Sequence, residues 1–162
     1  MPPDLDVVGL LVALADAKVE FIVVGGVAAV AQGVPLSTFD LDIVHHRTPG
    51  NIERLRAFFD VVSARARHRP EGQRILPGAD ALAGPGHQLL LTDRGPLDVL
   101  GAIEDGADYV SLLPDSVEHV VRGRGIRFVG LSRLAELKRG STRAKDKLAL
   151  LLIEETLARR GG

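Results

Sequence analysis

The sequence predicts an α+β domain: a small mixed β-sheet with helices packed mainly on one side. Three observations carry that expectation. Segments with helical apolar spacing are interspersed with short apolar runs of strand length. The 162 residues match the size of one ordinary domain. Apolar residues at 46% and charged residues at 25% are the balance of a chain that buries a core. Residues 1–162 therefore read as a single domain, with C-terminal helices over about 132–159 packed on it.

Taken in order, residues 6–18 crowd their apolar side chains on one side at helical spacing and predict a first helix. Phe21–Val24 is a continuous apolar run stopped by Gly25-Gly26, the pattern of a buried strand entering a tight turn. Val27 to Gln32 predicts a short helix closed by Gly33. From Thr38 to Val44 the chain alternates, Phe39, Leu41 and Ile43 on one face and Thr38, Asp40 and Asp42 on the other, which predicts a half-buried strand. Thr48-Pro49 reads as an N-cap followed by proline at the first helical position, ahead of a helix through Asn51–Asp60. Residues 64–83 are rich in Arg, Pro and Gly and fit strands with loops or a flap. Leu89–Leu91 and Leu97–Leu100 predict two strands about the turn Asp93–Pro96, and Val117–Val121 with Ile126–Val129 predict a second hairpin. Ser132 is placed to cap a helix over Arg133–Arg139 that Gly140 ends, and a last helix spans about Arg143–Arg159.

Composition removes several classes of function. The chain carries 20 Lys+Arg against 21 Asp+Glu, so its net charge of −1 gives no global attraction to nucleic acid or an anionic membrane. It has no cysteine, which excludes disulfides, a thiolate nucleophile and cysteine-held metals. Aromatic residues are only 4%, with no tryptophan, too few for a base-stacking platform. The start, Met1 to Asp6, has two prolines and two acids where a signal peptide needs positive charge, and no apolar run could span a bilayer. A cytoplasmic protein with no membrane partner is expected.

The order strand, Gly-Gly, short helix, Asp-x-Asp carries the chemistry. A glycine pair at a strand-to-helix turn lets backbone come close to a ligand, with free amides facing an anion. Two carboxylates two residues apart on one strand face, Asp40 and Asp42, can jointly hold Mg²⁺, a hard ion that prefers oxygen. Together they describe a site for a metal–triphosphate. Asp98, inside the apolar run Leu97–Leu100, offers a third carboxylate; burying it calls for an opposite charge, so it reads equally as a third acid or as an arginine's structural partner. His45 and His46 are adjacent on a strand and point to opposite faces, so they cannot share one ion; one of them is expected near the rim of the site. Arg65, Arg67, His68 and Arg69 form a basic run, either a solvated loop or a contact to phosphates.

The stretch FIVVGGVAAVAQGVPLSTFDLDIV resembles the DNA polymerase β-like nucleotidyltransferase superfamily, in its small bacterial minimal-nucleotidyltransferase form, which includes abortive-infection toxins. The resemblance extends to Leu97–Leu100 and to Leu131–Asp146. It implies a two-metal site open at the sheet edge, where Asp40, Asp42 and Asp98 bind Mg²⁺ and carry the catalysis. It implies further that Gly25, Gly26 and Thr38 hold the nucleotide with Lys138, and that Asp146 orients that lysine or binds on the substrate side. The implied activity is transfer of an NMP from an NTP to a hydroxyl acceptor, a tRNA or a protein. The implied setting is a toxin with a cognate antitoxin, or phage defence. Two positions depart from the family pattern: Leu36 stands where arginine is usual, with Arg47 or an arginine of 65–69 as its replacement, and Ala149 stands where a second acid is usual. They motivate the alternative of a catalytically degenerate module that binds a nucleotide or a partner protein.

Overall fold

The computed structural model describes residues 3–70 and 73–161. Helix α1 (Val7–Asp16) leads into β1 (Phe21–Val24), α2 (Gly25–Ala31), β2 (Leu41–His45) and α3 (Pro49–Val61). Then come β3 (Arg65–Ala66), α4 (Ala79–Ala83), β4 (His87–Thr92), β5 (Gly95–Leu100) and α5 (Tyr109–Leu112). A 3₁₀ turn at Leu113–Asp115 precedes β6 (Ser116–Val121), β7 (Arg124–Val129), α6 (Leu131–Arg139) and α7 (Ala144–Gly161). The strands form one mixed sheet in the order β3-β4-β5-β2-β1-β7-β6. This is the α+β class with a mixed sheet that the sequence predicts.

The central pair explains the pattern. β1 lies antiparallel to β2, and each has a parallel neighbour on its other side, β7 for β1 and β5 for β2. A strand covered on both faces reads as a continuous apolar run, and Phe21–Val24 is buried at all four positions. Partnered residues share a face of the sheet. Leu41, Ile43, Leu97 and Val99 therefore face one side together, and all four are shut off from solvent. On the other side Val24, Asp42 and Asp98 stand in a row across β1, β2 and β5. α1 packs on β6, β7 and α3, burying Leu10, Leu11 and Leu14.

Local signals set most boundaries. Thr48 caps α3 by accepting from the Asn51 amide, with proline in the first turn. Gly140 ends α6 as the sequence predicts, but the N-cap is Gly130, ahead of the expected cap Ser132, which lies inside the helix. α2 begins at Gly25, so the glycine pair is its first turn and not a separate turn before Val27. The strand expected from Thr38 starts only at Leu41. Thr38 Oγ1 donates to the Asp40 carbonyl at 3.1 Å, and this local bond holds a bend where a ladder would otherwise run. Phe39 accordingly does not join Leu41 and Ile43 in the core but is 79% exposed. Between 64 and 83 the chain forms β3 and α4, with residues 71–72 outside the described residues.

One buried side chain fastens α3 to the strands that carry the site. Asn51, wholly buried, accepts from the Glu20 amide at 2.7 Å and donates to the carbonyls of Glu20 (2.9 Å) and His46 (2.8 Å). These backbone groups immediately precede β1 and follow β2. Removing the amide leaves the Glu20 amide and the His46 carbonyl without this partner at a part-buried site, each at about 1–3 kcal/mol before water enters, while the Glu20 carbonyl still accepts from the His46 amide. Asn51→Ala should therefore lower the unfolding free energy by at least about 2 kcal/mol in urea titration with an unchanged m-value; a loss below about 0.5 kcal/mol would contradict this role.

Candidate active site

Two of the three acids are brought together by strand register. Asp42 and Asp98 are direct partners in the parallel β2–β5 pair, on the same face. Asp40 joins them from the bend ahead of β2, and one carboxylate oxygen from each of the three lies within 4.8 Å of the others. Gly25 has φ of +69°, and a Cβ there would collide with Asp42 Oδ2, so only glycine lets the chain turn this close to the carboxylate. A Cβ at Gly26 would meet Thr38 Oγ1 at 3.1 Å. The two glycines thus make room for the acids and for the bend that delivers Asp40.

Crowding three acids is costly, and the cost shows in their protonation. Burial, then the charges of Asp40 and Asp98, push Asp42 up to about 8, with Lys138 pulling the other way. Burial and the Asp98 charge also raise Asp40, opposed by Arg67 and Lys145. Asp42 Oδ1 is sealed from solvent without a hydrogen-bond partner. Three hard oxygen donors, one of them orphaned, fit a divalent ion such as Mg²⁺.

The acids open onto a cavity of about 720 Å³. Gly25, Gly26 and Thr38 line one side, and Lys138 of α6, Lys145 of α7 and Arg143 of the link between them bring positive charge. Leu36, Leu148 and Leu152 supply an apolar wall. Lys138 Nζ donates to Asp146 Oδ1 at 2.9 Å, and Asp146 also accepts from Ser141 Oγ (2.6 Å) and Arg143 Nε (2.9 Å). Burial alone would raise Asp146, but the bonds from Ser141, Lys138 and Arg143 outweigh it and hold this carboxyl at about 2. Its oxygens are committed to orienting the lysine and the arginine.

All eight residues singled out from sequence sit here: Gly25, Gly26, Thr38, Asp40, Asp42, Lys138 and Asp146 line the cavity, and Asp98 completes the acidic cluster. Neither histidine does. His45 is buried against the Leu82 carbonyl (Nε2 to O, 2.7 Å), and His46 stacks on Tyr109 with centroids 4.6 Å apart. Arg47 is engaged by Asp108 at 3.2 Å and is not a stand-in for arginine at position 36. Sequence reasoning did not assign Arg143 and Lys145 to the cavity. Their signal is two cations two residues apart at a helix start, where acids are the usual choice.

Comparison with solved structures places this geometry. LnuA, a lincosamide antibiotic adenylyltransferase solved with lincomycin bound, superposes with a TM-score of 0.60 at 14% identity, over 94% of this chain and 99% of that one. ANT(2″)-Ia, in complex with adenylyl-2″-tobramycin, gives 0.57 at 15% identity, over 91% and 85%. TM1012 from Thermotoga maritima, described as a candidate nucleotidyltransferase, gives 0.52 at 22% identity, over 90% and 89%. The chain has the nucleotidyltransferase fold. No protein-family model matches the sequence, and no curated protein matches it. Among the described residues no helix is long and apolar enough to cross a membrane.

For the metal-free nucleotidyltransferase fold, the raised carboxyls set a direction for stability. An unfolded aspartate ionises near 4, so between about pH 4 and about 8 the folded protein retains a proton at Asp42 that the unfolded chain has lost. Stability therefore falls as pH rises through that window. In chelator, Asp42→Asn should melt higher than wild type at pH 8 and narrow the gap between melts at pH 5 and pH 8; an unchanged gap would show that the cluster does not carry this strain.

Proposed function

We propose that this chain is a Mg²⁺-dependent nucleotidyltransferase that moves an NMP from an NTP to a hydroxyl acceptor and releases pyrophosphate. The observation that carries the reading is the meeting of Asp40, Asp42 and Asp98 within 4.8 Å beside a cavity that Lys138, Arg143 and Lys145 also line. Asp40 and Asp42 would hold the ion, with Asp98 completing the site. When bound, divalent metal offsets charge on the attacking and leaving oxygens of an in-line displacement at phosphorus.

The chain's own groups supply the rest. Gly25 and Gly26, without side chains, let the triphosphate approach the backbone. Lys138, held by Asp146, and the neighbouring Arg143 and Lys145 would bind the β- and γ-phosphates and so draw out the leaving pyrophosphate. Leu36, Leu148 and Leu152 offer apolar surface to the nucleoside. The acceptor oxygen forms a bond to the α-phosphorus as the bond to the β-phosphate's bridging oxygen breaks. Asp98 would take the acceptor's proton. LnuA and ANT(2″)-Ia pass adenylyl groups to antibiotics; the sequence resemblance points instead to a tRNA or protein acceptor and to a toxin countered by an antitoxin, and we carry that setting as part of the proposal.

A second reading, a degenerate nucleotide-binding module, is favoured by Leu36, which puts apolar surface into the cavity. Thermal melts with each of ATP, GTP, CTP and UTP, with and without Mg²⁺, test the site without knowledge of the acceptor. A nucleotide at about 100 times its dissociation constant adds about 2.7 kcal/mol, a rise of several degrees at this size. The shift should require Mg²⁺ and vanish in Asp42→Asn; a shift indifferent to both would overturn the metal–triphosphate site. Mg²⁺-dependent binding with no pyrophosphate released across tRNA, protein and antibiotic acceptors would favour the degenerate module.

A further inference from the structure

Arg67 belongs to a basic run that sequence alone leaves as loop or phosphate contact, yet its side chain turns into the sheet. Just past β3, its amide donates to the Leu89 carbonyl at 2.8 Å, continuing the edge pairing with β4. Leu89 partners Asp98, so Arg67 lies on the same face as the acidic cluster. From there Nη2 donates to the Leu90 carbonyl at 2.9 Å and to Asp98 Oδ1 at 2.7 Å. The two side chains are only 18% and 16% exposed. Arg67 Nε is sealed from water with no partner of its own. A guanidinium desolvated this far is worth keeping only where a strong negative field repays it, and Arg67 is felt beyond its partner, at Asp40.

Charge counting then separates the three acids. Fully ionised they carry three negative charges, and the guanidinium neutralises one of them. One divalent ion balances the remainder; a second would leave the cluster positive until an anionic substrate arrived. The fixed cation is also on the Asp98 side, whereas Asp42, with its orphaned oxygen, and Asp40 have no cation within ion-pair distance among the described residues.

We propose that Arg67 is a built-in cation of the acidic cluster, a positioning residue that holds Asp98 so that the nucleotide-free protein takes up a single divalent ion on Asp40 and Asp42. The inference rests on the metal-site reading above. It makes ion binding ordered: the first ion needs only the Asp-x-Asp pair, and Asp98 becomes available when the incoming substrate rebalances the charge around Arg67.

Mn²⁺ alone, counted by equilibrium dialysis and electron paramagnetic resonance on the full chain, tests this without any turnover. Wild type should bind one Mn²⁺ per chain. Arg67→Gln should admit a second, and Arg67→Lys, which keeps the charge, should return the count to one. Two ions in the wild type, or one in Arg67→Gln, would overturn the proposal. If Arg67→Gln does not fold, the double variant Arg67→Gln/Asp98→Asn, which removes the ion pair without changing the net charge of the cluster, decides: the single ion should keep its affinity within about threefold, and a loss beyond about tenfold (1.4 kcal/mol) would make Asp98 a ligand of the first ion. Absence of Mn²⁺ binding in wild type and Asp42→Asn alike would instead bring down the metal site itself, a result distinct from a two-ion wild type.

Discussion

Mutual repulsion among Asp40, Asp42 and Asp98 is the constraint around which the molecule is arranged. Like charges this close resist ionising together. The scaffold overcomes that resistance with covalently continuous structure. Asp42 and Asp98 are fixed by adjacent central strands whose other faces are fully buried, so neither carboxylate can swing away without opening the core. The strain is stored where a cation can relieve it, and charge from Arg67, Lys138 and Lys145 surrounds it.

The opposite wall follows a different logic. α6 and α7 meet at Ser141–Ala144, and Asp146 collects Ser141, Lys138 and Arg143 into one cluster at that junction. A single buried carboxylate thus aligns one cation of α6 and one of the link into α7 with little freedom lost per contact. The cavity is acidic on the sheet side and basic on the helix side, which matches a polyanion that carries its own divalent ion.

How much of this is legible in the sequence depends on the distance over which each contact acts. Asp40 and Asp42 are visible because a strand's period of two is a local property, and the helix boundary at Thr48-Pro49 is visible for the same reason. That strand reasoning placed Phe39 in the core, however, because a side-chain bond from Thr38 to the Asp40 carbonyl ends the ladder, and such bonds leave no periodic trace. Asp98 could be singled out as an acid in an apolar run, but its pairing with Asp42 follows from a parallel register between distant segments. Arg67 is the hardest case: among Arg65, Arg67, His68 and Arg69 nothing in composition says which arginine turns inward. The register of a two-residue edge strand does.

The sheet topology also bears on how the chain reaches this state. The first strand made, β1, sits at the centre and takes its second neighbour from β7, pairing Val23 with Phe128. β2 likewise waits for β5. Both closures span long stretches of chain, so the centre of the sheet is completed late, and proteins dominated by such pairings fold slowly. On a ribosome, the apolar segment Phe21–Val24 can pair early with β2 but emerges long before β7, so one of its edges stays open meanwhile, which makes this nascent chain a natural client for chaperones.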